Sequence, residues 1–310
     1  MTNDQPVILL MGPTAAGKTD VAVQLAEQGG FEIISVDSAL VYREMDIGTA
    51  KPDAEILERA PHFLIDIRDP AQAYSAAEFV NDAGQLIKEI QGRGNTALLC
   101  GGTMLYFRAI TEGLSELPKA DETIRQDLID EAADKGWQAM HDQLAEIDPE
   151  AAQRIHPNDP QRIQRALEIF RITGMSMSHW LQQNKPEGLP YRFIKHVLAP
   201  ADRSVLHQRI EQRFDQMLAQ GFVEEVEKLR SRSDLDLEKP SMRSVGYRQI
   251  WQYLDGDYGL EDARMKGIVA TRQLAKRQFT WLRAIQDASW ADSLNSSDIA
   301  RLIGDISAKA

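Results

Sequence analysis

The chain has 310 residues, 43% hydrophobic and 26% charged, enough for one large domain with an insertion or for two domains, and this usage excludes disordered, collagen-like and coiled-coil architectures. A single cysteine, Cys100, excludes an internal disulfide and a cysteine-built zinc site, and fits a reducing, cytoplasmic setting. The formal net charge of −12 runs against a wholly basic nucleic-acid binder, yet residues 241–283 carry eight cations against four anions, so a polyanion has a local place to dock.

Met1-Thr2-Asn3-Asp4 shows no basic leader or cleavage pattern. No apolar run approaches the roughly 20 residues of a membrane span, so neither export nor insertion is expected. The run Val7-Ile8-Leu9-Leu10-Met11 ends in a glycine turn, the pattern of a strand buried on both faces of a parallel sheet. The order then predicts a helix over 18–27, strands over 32–36 and 63–66, a helix over 76–90 and a strand over 96–100 leading into Gly101-Gly102. This rhythm indicates an α/β fold, a P-loop NTPase-like doubly wound parallel sheet. After Pro118 only helical periodicity runs to about Pro190, followed by a strand over 193–198 and mostly helix. The expected organisation is a core over 1–117, a helical insertion over 118–190 with its return hinge at 186–190, and the second part of the core with C-terminal helices over 191–310.

Gly12-Pro13-Thr14-Ala15-Ala16-Gly17-Lys18-Thr19 fits GxxxxGK[ST] between a predicted strand and a predicted helix. Its glycines let backbone N–H groups surround a diphosphate or triphosphate, Lys18 supplies a cation, and the Thr19 hydroxyl is a Mg²⁺ ligand. Asp37 follows the second strand directly, at the carboxyl end where open α/β sheets bind ligands. Two readings of it stand: a base or outer-shell magnesium partner, or a turn former with Ser38. The six histidines show no metal-ligand spacing.

Together with Asp37-Ser38, six further blocks resemble the tRNA dimethylallyltransferase family, also called tRNA isopentenyltransferases. They are Ile47-Gly48-Thr49-Ala50-Lys51-Pro52, Tyr74-Ser75 ahead of Phe79, Gly101-Gly102-Thr103-Met104-Leu105-Tyr106, 161–168, 244–248 and 270–283. Leu40 stands where many members carry glutamine, so any contact of that amide is absent. A C-terminal zinc finger of some eukaryotic relatives is missing, so a bacterial-type enzyme is expected.

The resemblance implies transfer of a dimethylallyl group from dimethylallyl diphosphate to an adenine amine just 3′ of the anticodon, on a tRNA anticodon stem-loop, by a monomer using Mg²⁺. It implies that Asp37 takes the amine proton, that Lys18 and the loop hold the diphosphate, and that Thr103 contacts the flipped-out nucleotide; a helix N-cap is the other reading of Thr103. The implied tRNA contacts are Asp37, Ser38, Ala39, Leu40, Thr103, Arg125, Gln161, Arg162, Ile163, Gln164, Arg165, Arg243, Ser244, Val245, Gly246, Tyr247, Arg248, Lys276, Arg277, Gln278, Phe279, Thr280, Trp281, Leu282 and Arg283. A mobile insertion would open the channel that admits the extruded base.

Helical spacing puts Arg272, Lys276, Phe279 and Arg283 on one face and Leu274, Trp281 and Ile285 on the other, read as the core side, although Phe279 is itself a usual core residue. In the insertion, Ile163, Leu167 and Phe170 form the buried stripe opposite Gln161, Gln164 and Arg165, with an Arg165–Glu168 ion pair as the structural alternative. A P-loop small-molecule kinase is the competing reading, distinguished by a short arginine-bearing lid where this chain has a long helical insertion. A GTPase-like switch lacks its Asn-Lys-x-Asp motif, since Asn184-Lys185 is followed by Pro186-Glu187.

Overall fold

Along β1 (Val7–Met11) every residue is buried, with alternate side chains entering opposite cores: Val7, Leu9 and Met11 join one, Ile8 and Leu10 the other. The computed structural model describes residues 5–115, 117–183 and 187–309. Met1–Asp4 and Pro186 of the expected return hinge lie outside the described residues, and Glu187 to Pro190 carries no helix or strand.

The chain forms two compact units, one of residues 1–111 and 189–310, the other of residues 112–188. In the first, β1 leads through α1 (Lys18–Glu27) to β2 (Phe31–Val36), α2 (Ala54–Arg59), β3 (His62–Phe63), α3 (Ala76–Gly92), β4 (Thr96–Gly101) and α4 (Met104–Glu112). The sheet is all-parallel, in the order β3-β2-β4-β1-β5-β6, where β5 is Phe193–Ala199 and β6 is Ser289–Asp292. Helices α9 (Arg203–Ala219), α10 (Phe222–Arg230), α11 (Tyr247–Leu254), α12 (Leu260–Ala284) and α13 (Ser296–Ser307) complete this unit. The core containing α3, α4 and α9 to α12 fills one face of the sheet, and α1 and α13 cover the other. Among the described residues no helix is long and apolar enough to cross a membrane.

The second unit holds α5 (Glu122–Ile147), α6 (Pro149–Arg154), α7 (Pro160–Thr173) and α8 (Met177–Gln183) around Leu128, Met140, Leu144, Ile163 and Leu167. Helix α5 is interrupted at Gly136, where φ is 81° and ψ 154°. Asp148, almost wholly buried, accepts from the N–H of Ala151 and of Ser178 at 2.9 and 2.8 Å, so one carboxylate caps α6 and docks α8.

Several elements differ from the sequence reading. The third strand spans only His62–Phe63, because Leu64 and Asp66 take positive φ and Asp66 turns to the Lys51 ammonium, which also pairs with Asp46. Helix α2 and strand β6 were not anticipated; β6 is four residues long with two exposed, too short for periodicity to reveal. In α7 the buried stripe is Ile163, Ala166, Leu167 and Ile169, with Phe170 only half-buried.

His196 of β5 is almost wholly buried beside Leu10, its Nδ1 at 3.0 Å from Ser289 Oγ and its Nε2 without a partner among the described residues. Burial holds its pKa below the usual 6.5; Lys309 adds to this and Asp305 opposes it. Above about pH 6.5 both folded and unfolded states carry the neutral ring, and as the pH falls the unfolded chain takes up a proton that the native chain resists, so stability drops. Urea unfolding at about pH 7.5 and about pH 5.5 should show a smaller loss in His196→Gln than in the parent; an equal loss assigns the fall to other groups, such as the similarly depressed His62.

Candidate active site

Parallel register brings three strand ends level: Met11 of β1 and Val36 of β2 both lie opposite Gly101 of β4. The turns that follow carry the phosphate loop, Asp37 and Thr103, at the carboxyl edge beside the point where the strand order reverses. Gly12 approaches β5 so closely that a Cβ there would sit 2.2 Å from the Leu198 carbonyl oxygen. Ala15 (φ 62°) and Gly17 (φ 85°) turn the loop into the N-terminus of α1, and Thr19 sits in its first turn. Among the described residues the N–H groups of Ala15, Ala16 and Gly17 meet no acceptor, as an anion-binding loop requires.

Lys18 donates from Nζ to the Pro13 carbonyl at 2.8 Å. Burial pushes its ammonium below the usual lysine value, against the raising influence of Cys100 and Asp37, and Arg213 adds to the lowering. Burial likewise pushes the Cys100 thiol up to about 11, which leaves it protonated and inert near neutrality. Asp37 Oδ1 accepts from the N–H of Ala39 at 2.8 Å and of Leu40 at 3.4 Å, so the turn-forming reading holds, while Oδ2 has no partner among the described residues. Thr103 Oγ1 accepts from the Ser38 N–H at 3.0 Å; it locks the Asp37 turn to β4 rather than capping α4.

Gln278, buried on α12, ties both loops together. Its Oε1 accepts from the Thr14 N–H and its Nε2 donates to the Gly102 carbonyl, each at 2.9 Å. Both ends of the Gln278 amide are thus engaged within the protein, one by the phosphate loop and the other by the turn after β4.

A cavity of about 800 Å³ opens over these groups within the first unit. Of the anticipated residues, Thr14 to Thr19, Asp37 to Leu40, Thr103, Arg243 to Tyr247, Arg277, Gln278 and Trp281 line it. Arg248, Lys276, Thr280 and Arg283 are exposed outside it. The side chains of Ile163, Tyr247, Phe279 and Leu282 are buried and pack in the cores, with Tyr247 also reaching the cavity wall. On α12 the core side is Ala275, Phe279 and Leu282, whereas Leu274 and Trp281 face the cavity and Trp281 is 37% exposed. The expectation fails at Phe279, Leu274 and Trp281, while Lys276 and Arg283 are exposed as expected, because this helix borders two apolar environments and periodicity cannot tell a core from a cavity. Phe279 lies among cations all the same, with the Arg203 and Arg283 guanidiniums 5.0 and 5.7 Å from its ring centroid.

In the second unit, the buried Glu168 accepts from the Asp121 N–H, Arg125 Nε and Arg165 Nη1 at 2.9, 3.0 and 2.6 Å. Arg165 also donates to the Pro118 carbonyl, and Gln164 to that of Arg125. Arg125, Gln164 and Arg165 thus join α5 to α7, whereas Gln161 and Arg162 are exposed.

Two groups at the site were missed. Arg213 on α9 lines the cavity, near enough to Lys18 and Asp37 to perturb and be perturbed, with no ion pair or hydrogen bond among the described residues; burial lowers its pKa and Asp37 opposes this. Its sequence signal was a cation inside the apolar stripe of Ile210, Phe214 and Met217. Glu225 accepts from the N–H of Asp46, Ile47 and Gly48 at 2.9, 2.8 and 3.1 Å and from the Tyr247 hydroxyl at 2.6 Å, fixing the conspicuous 47–52 block as a wall of the cavity.

The family model described as IPP transferase matches residues 40–285. The chain belongs to the IPP transferase family. A crystal structure of the full-length tRNA isopentenylpyrophosphate transferase from Bacillus halodurans is 39% identical, with 98% of this chain and 96% of that one covered and a TM-score of 0.72. The tRNA delta(2)-isopentenylpyrophosphate transferase from Staphylococcus epidermidis is 31% identical over 98% of this chain and 99% of that one, with a TM-score of 0.69. A eukaryotic dimethylallyltransferase acting on tRNA is 26% identical over 99% of this chain and 80% of that one, with a TM-score of 0.80. The phosphate loop and Asp37 precede the part of this IPP transferase chain that the family model matches, and the three structures extend the likeness over them.

Glu168→Ala would leave two arginines without their shared acceptor. The expected cost is about 2 kcal/mol, moderated because both guanidiniums keep access to water. Chemical denaturation with a probe in the second unit, such as Trp137 fluorescence, checks it; an unchanged midpoint would show the ion pairs to be dispensable.

Proposed function

We propose that this chain transfers the dimethylallyl group of dimethylallyl diphosphate to the exocyclic amine of the adenosine just 3′ of the anticodon in tRNA, releasing diphosphate. The observation that carries the reading is the convergence, in an IPP transferase family member, of a phosphate loop, a second unpaired cation at Arg213 and a carboxylate with one free oxygen on a single cavity. The kinase reading is not favoured by this family membership.

The chemistry follows from the groups present. The bond between the allylic carbon and the diphosphate oxygen breaks while the bond from that carbon to the adenine nitrogen forms. Loop N–H groups, Lys18 and Arg213 stabilise the charge gathering on the leaving diphosphate. The nitrogen's proton passes to Asp37 Oδ2, whose partner Oδ1 is held by the Ala39 and Leu40 N–H groups and so fixes the direction of the free oxygen. Thr103, through Ser38, keeps that turn in place.

The residues fit Mg²⁺ bound mainly by diphosphate and water: the Thr19 hydroxyl lines the cavity, and among the described residues no cluster of three or more His, Cys, Asp or Glu forms a protein cage. Thr19 would hold the ion, which supplies further neutralisation of the diphosphate.

The exposed cations Arg243, Arg248, Lys276, Arg277 and Arg283 form the tRNA face of the first unit in this reading, and Gln161 and Arg162 are the exposed candidates of the helical unit taken by itself. The adenosine must leave its stack to reach Asp37. A monomer suffices, since every group named lies in one chain.

Incubation with unmodified tRNA, dimethylallyl diphosphate and Mg²⁺, followed by mass analysis of the nucleosides, should show a dimethylallyl increment on adenosine that disappears in Lys18→Ala; its absence from the parent protein sinks the reading. Asp37→Ala should lower turnover by about 100-fold or more with tRNA affinity little changed, and equal losses in both would make Asp37 a positioning group. Lys276→Ala and Arg277→Ala should each make the salt dependence of tRNA binding shallower by about one unit of slope. A slope that stays unchanged removes those two cations from the RNA face.

A further inference from the structure

The seam between α9 and α12 treats its arginines in two ways. At one end Arg264 pairs with Asp215 at 2.5 Å and with Glu211 at 3.4 Å, and Arg272 pairs with Glu211 at 2.9 Å. At the other end Arg203, the first residue of α9, and Arg283, in the last turn of α12, stand over the ring of Phe279, their guanidinium carbons 5.0 and 5.7 Å from its centroid. Among the described residues neither of these two guanidiniums has an ion pair or a hydrogen bond. The carboxylates nearest to them in sequence are engaged elsewhere: Asp202 accepts from the N–H and the hydroxyl of Ser204, and Asp287 pairs with Lys195.

Two like charges over one ring repel each other, and in a chain of net charge −12 carboxylates to separate them are plentiful, as the pairs of Arg264 and Arg272 show. Here an aromatic face takes the place of a carboxylate. The ring quadrupole attracts each cation without neutralising it, so the charge stays available. Phe279 is 6% exposed and packed in the core, which fixes the ring, while Arg203 and Arg283 are exposed and keep their N–H edges for an anion from outside.

Helix α12 extends this pair into a row. Lys276, Phe279 and Arg283 stand at i, i+3 and i+7, and Lys276 is exposed as well. At about 1.5 Å of rise per residue the row covers about 10 Å. A nucleic-acid strand carries one phosphate per about 3.4 Å of axis, so a row of this length meets about three phosphates with its three cations, Lys276, Arg203 and Arg283. A free diphosphate concentrates its charge at one point and would leave part of the row empty.

We propose that Arg203 and Arg283, braced on Phe279, hold neighbouring backbone phosphates of the RNA that the enzyme modifies. The proposal rests on the reading of tRNA as substrate and adds Arg203, which lies outside the blocks that carry the family likeness. Phe279 positions the two guanidiniums and does not itself touch the RNA.

The test is the salt dependence of tRNA binding by the full chain, read as the slope of log K against log salt concentration, in the parent and in Lys276→Ala, Arg203→Ala, Arg203→Lys and the double variant Arg203→Ala/Arg283→Ala. Arg203→Ala should make the slope shallower by about 0.7 to 1 unit and the double variant by about twice that, as one and two lost phosphate contacts require. Arg203→Lys should keep the parent slope and lose affinity, since an ammonium retains the charge but stacks less well on the ring. Both substituted arginines are exposed, so the variants leave the core intact.

A parent slope in Arg203→Ala, alongside a shallower one in Lys276→Ala, overturns the proposal and leaves the rest of the tRNA face standing. An equal loss of slope in Arg203→Lys and Arg203→Ala also overturns it, because the lysine variant keeps the charge. So does an Arg203→Ala protein that loses affinity for dimethylallyl diphosphate with tRNA binding intact, by placing the pair on the donor. A parent that does not bind tRNA even at low salt removes the substrate reading and this proposal with it.

Discussion

The site depends on the register of three parallel strands. Because Met11 and Val36 both lie level with Gly101, the turns after β1, β2 and β4 emerge side by side, and a phosphate loop, a carboxylate and a threonine from distant parts of the chain reach one cavity. A shift of one residue in β2 would point Asp37 to the other face of the sheet. The fully buried apolar strands fix the register, since alternate side chains fill both cores and neither core tolerates exchange. Gln278 then stitches the first and third turns together from α12, so the last long helix becomes part of the phosphate site.

Electrostatics at the site are arranged for an anion. Lys18 and Arg213 both lose hydration by burial, Arg213 further disfavours the charge on Lys18, and Asp37 favours the charge on each. The charge of the chain is partitioned as well: residues 112–188 contain eight cations and fifteen anions, so most of the net −12 resides in the helical unit. Three of that unit's basic or amide groups, Arg125, Gln164 and Arg165, are occupied by Glu168 and backbone carbonyls, whereas Gln161 and Arg162 are exposed.

The wall behind the site is held by a few hydrogen bonds and close ring contacts. Glu225 accepts with its two oxygens from three backbone N–H groups and a tyrosine hydroxyl, so the 47–52 block is tied to α10 and to the start of α11. Close approach of Phe214 to Gly267 extends this packing to α12.

The sequence by itself determined what is local. The phosphate loop is legible because its glycines, lysine and threonine act through a contiguous backbone turn; β1 and β4 are legible because strands buried on both faces read as apolar runs, and β2 and β5 because short, mainly apolar runs stand between turn signals; and the family likeness rests on ordered blocks. What sequence spacing could not decide was which of two apolar surroundings a side chain enters, or which partner a charge finds. Leu274 and Trp281 read as core yet face the cavity, the spacing of Arg165 left an RNA contact and an ion pair with Glu168 both open and the structure shows the pair, and Arg213 stands out only as a cation inside an apolar stripe, with nothing local to say that it meets Lys18. Those assignments depend on contacts across long stretches of chain, and only the packing of α9 and α12 over the ends of the strands settles them.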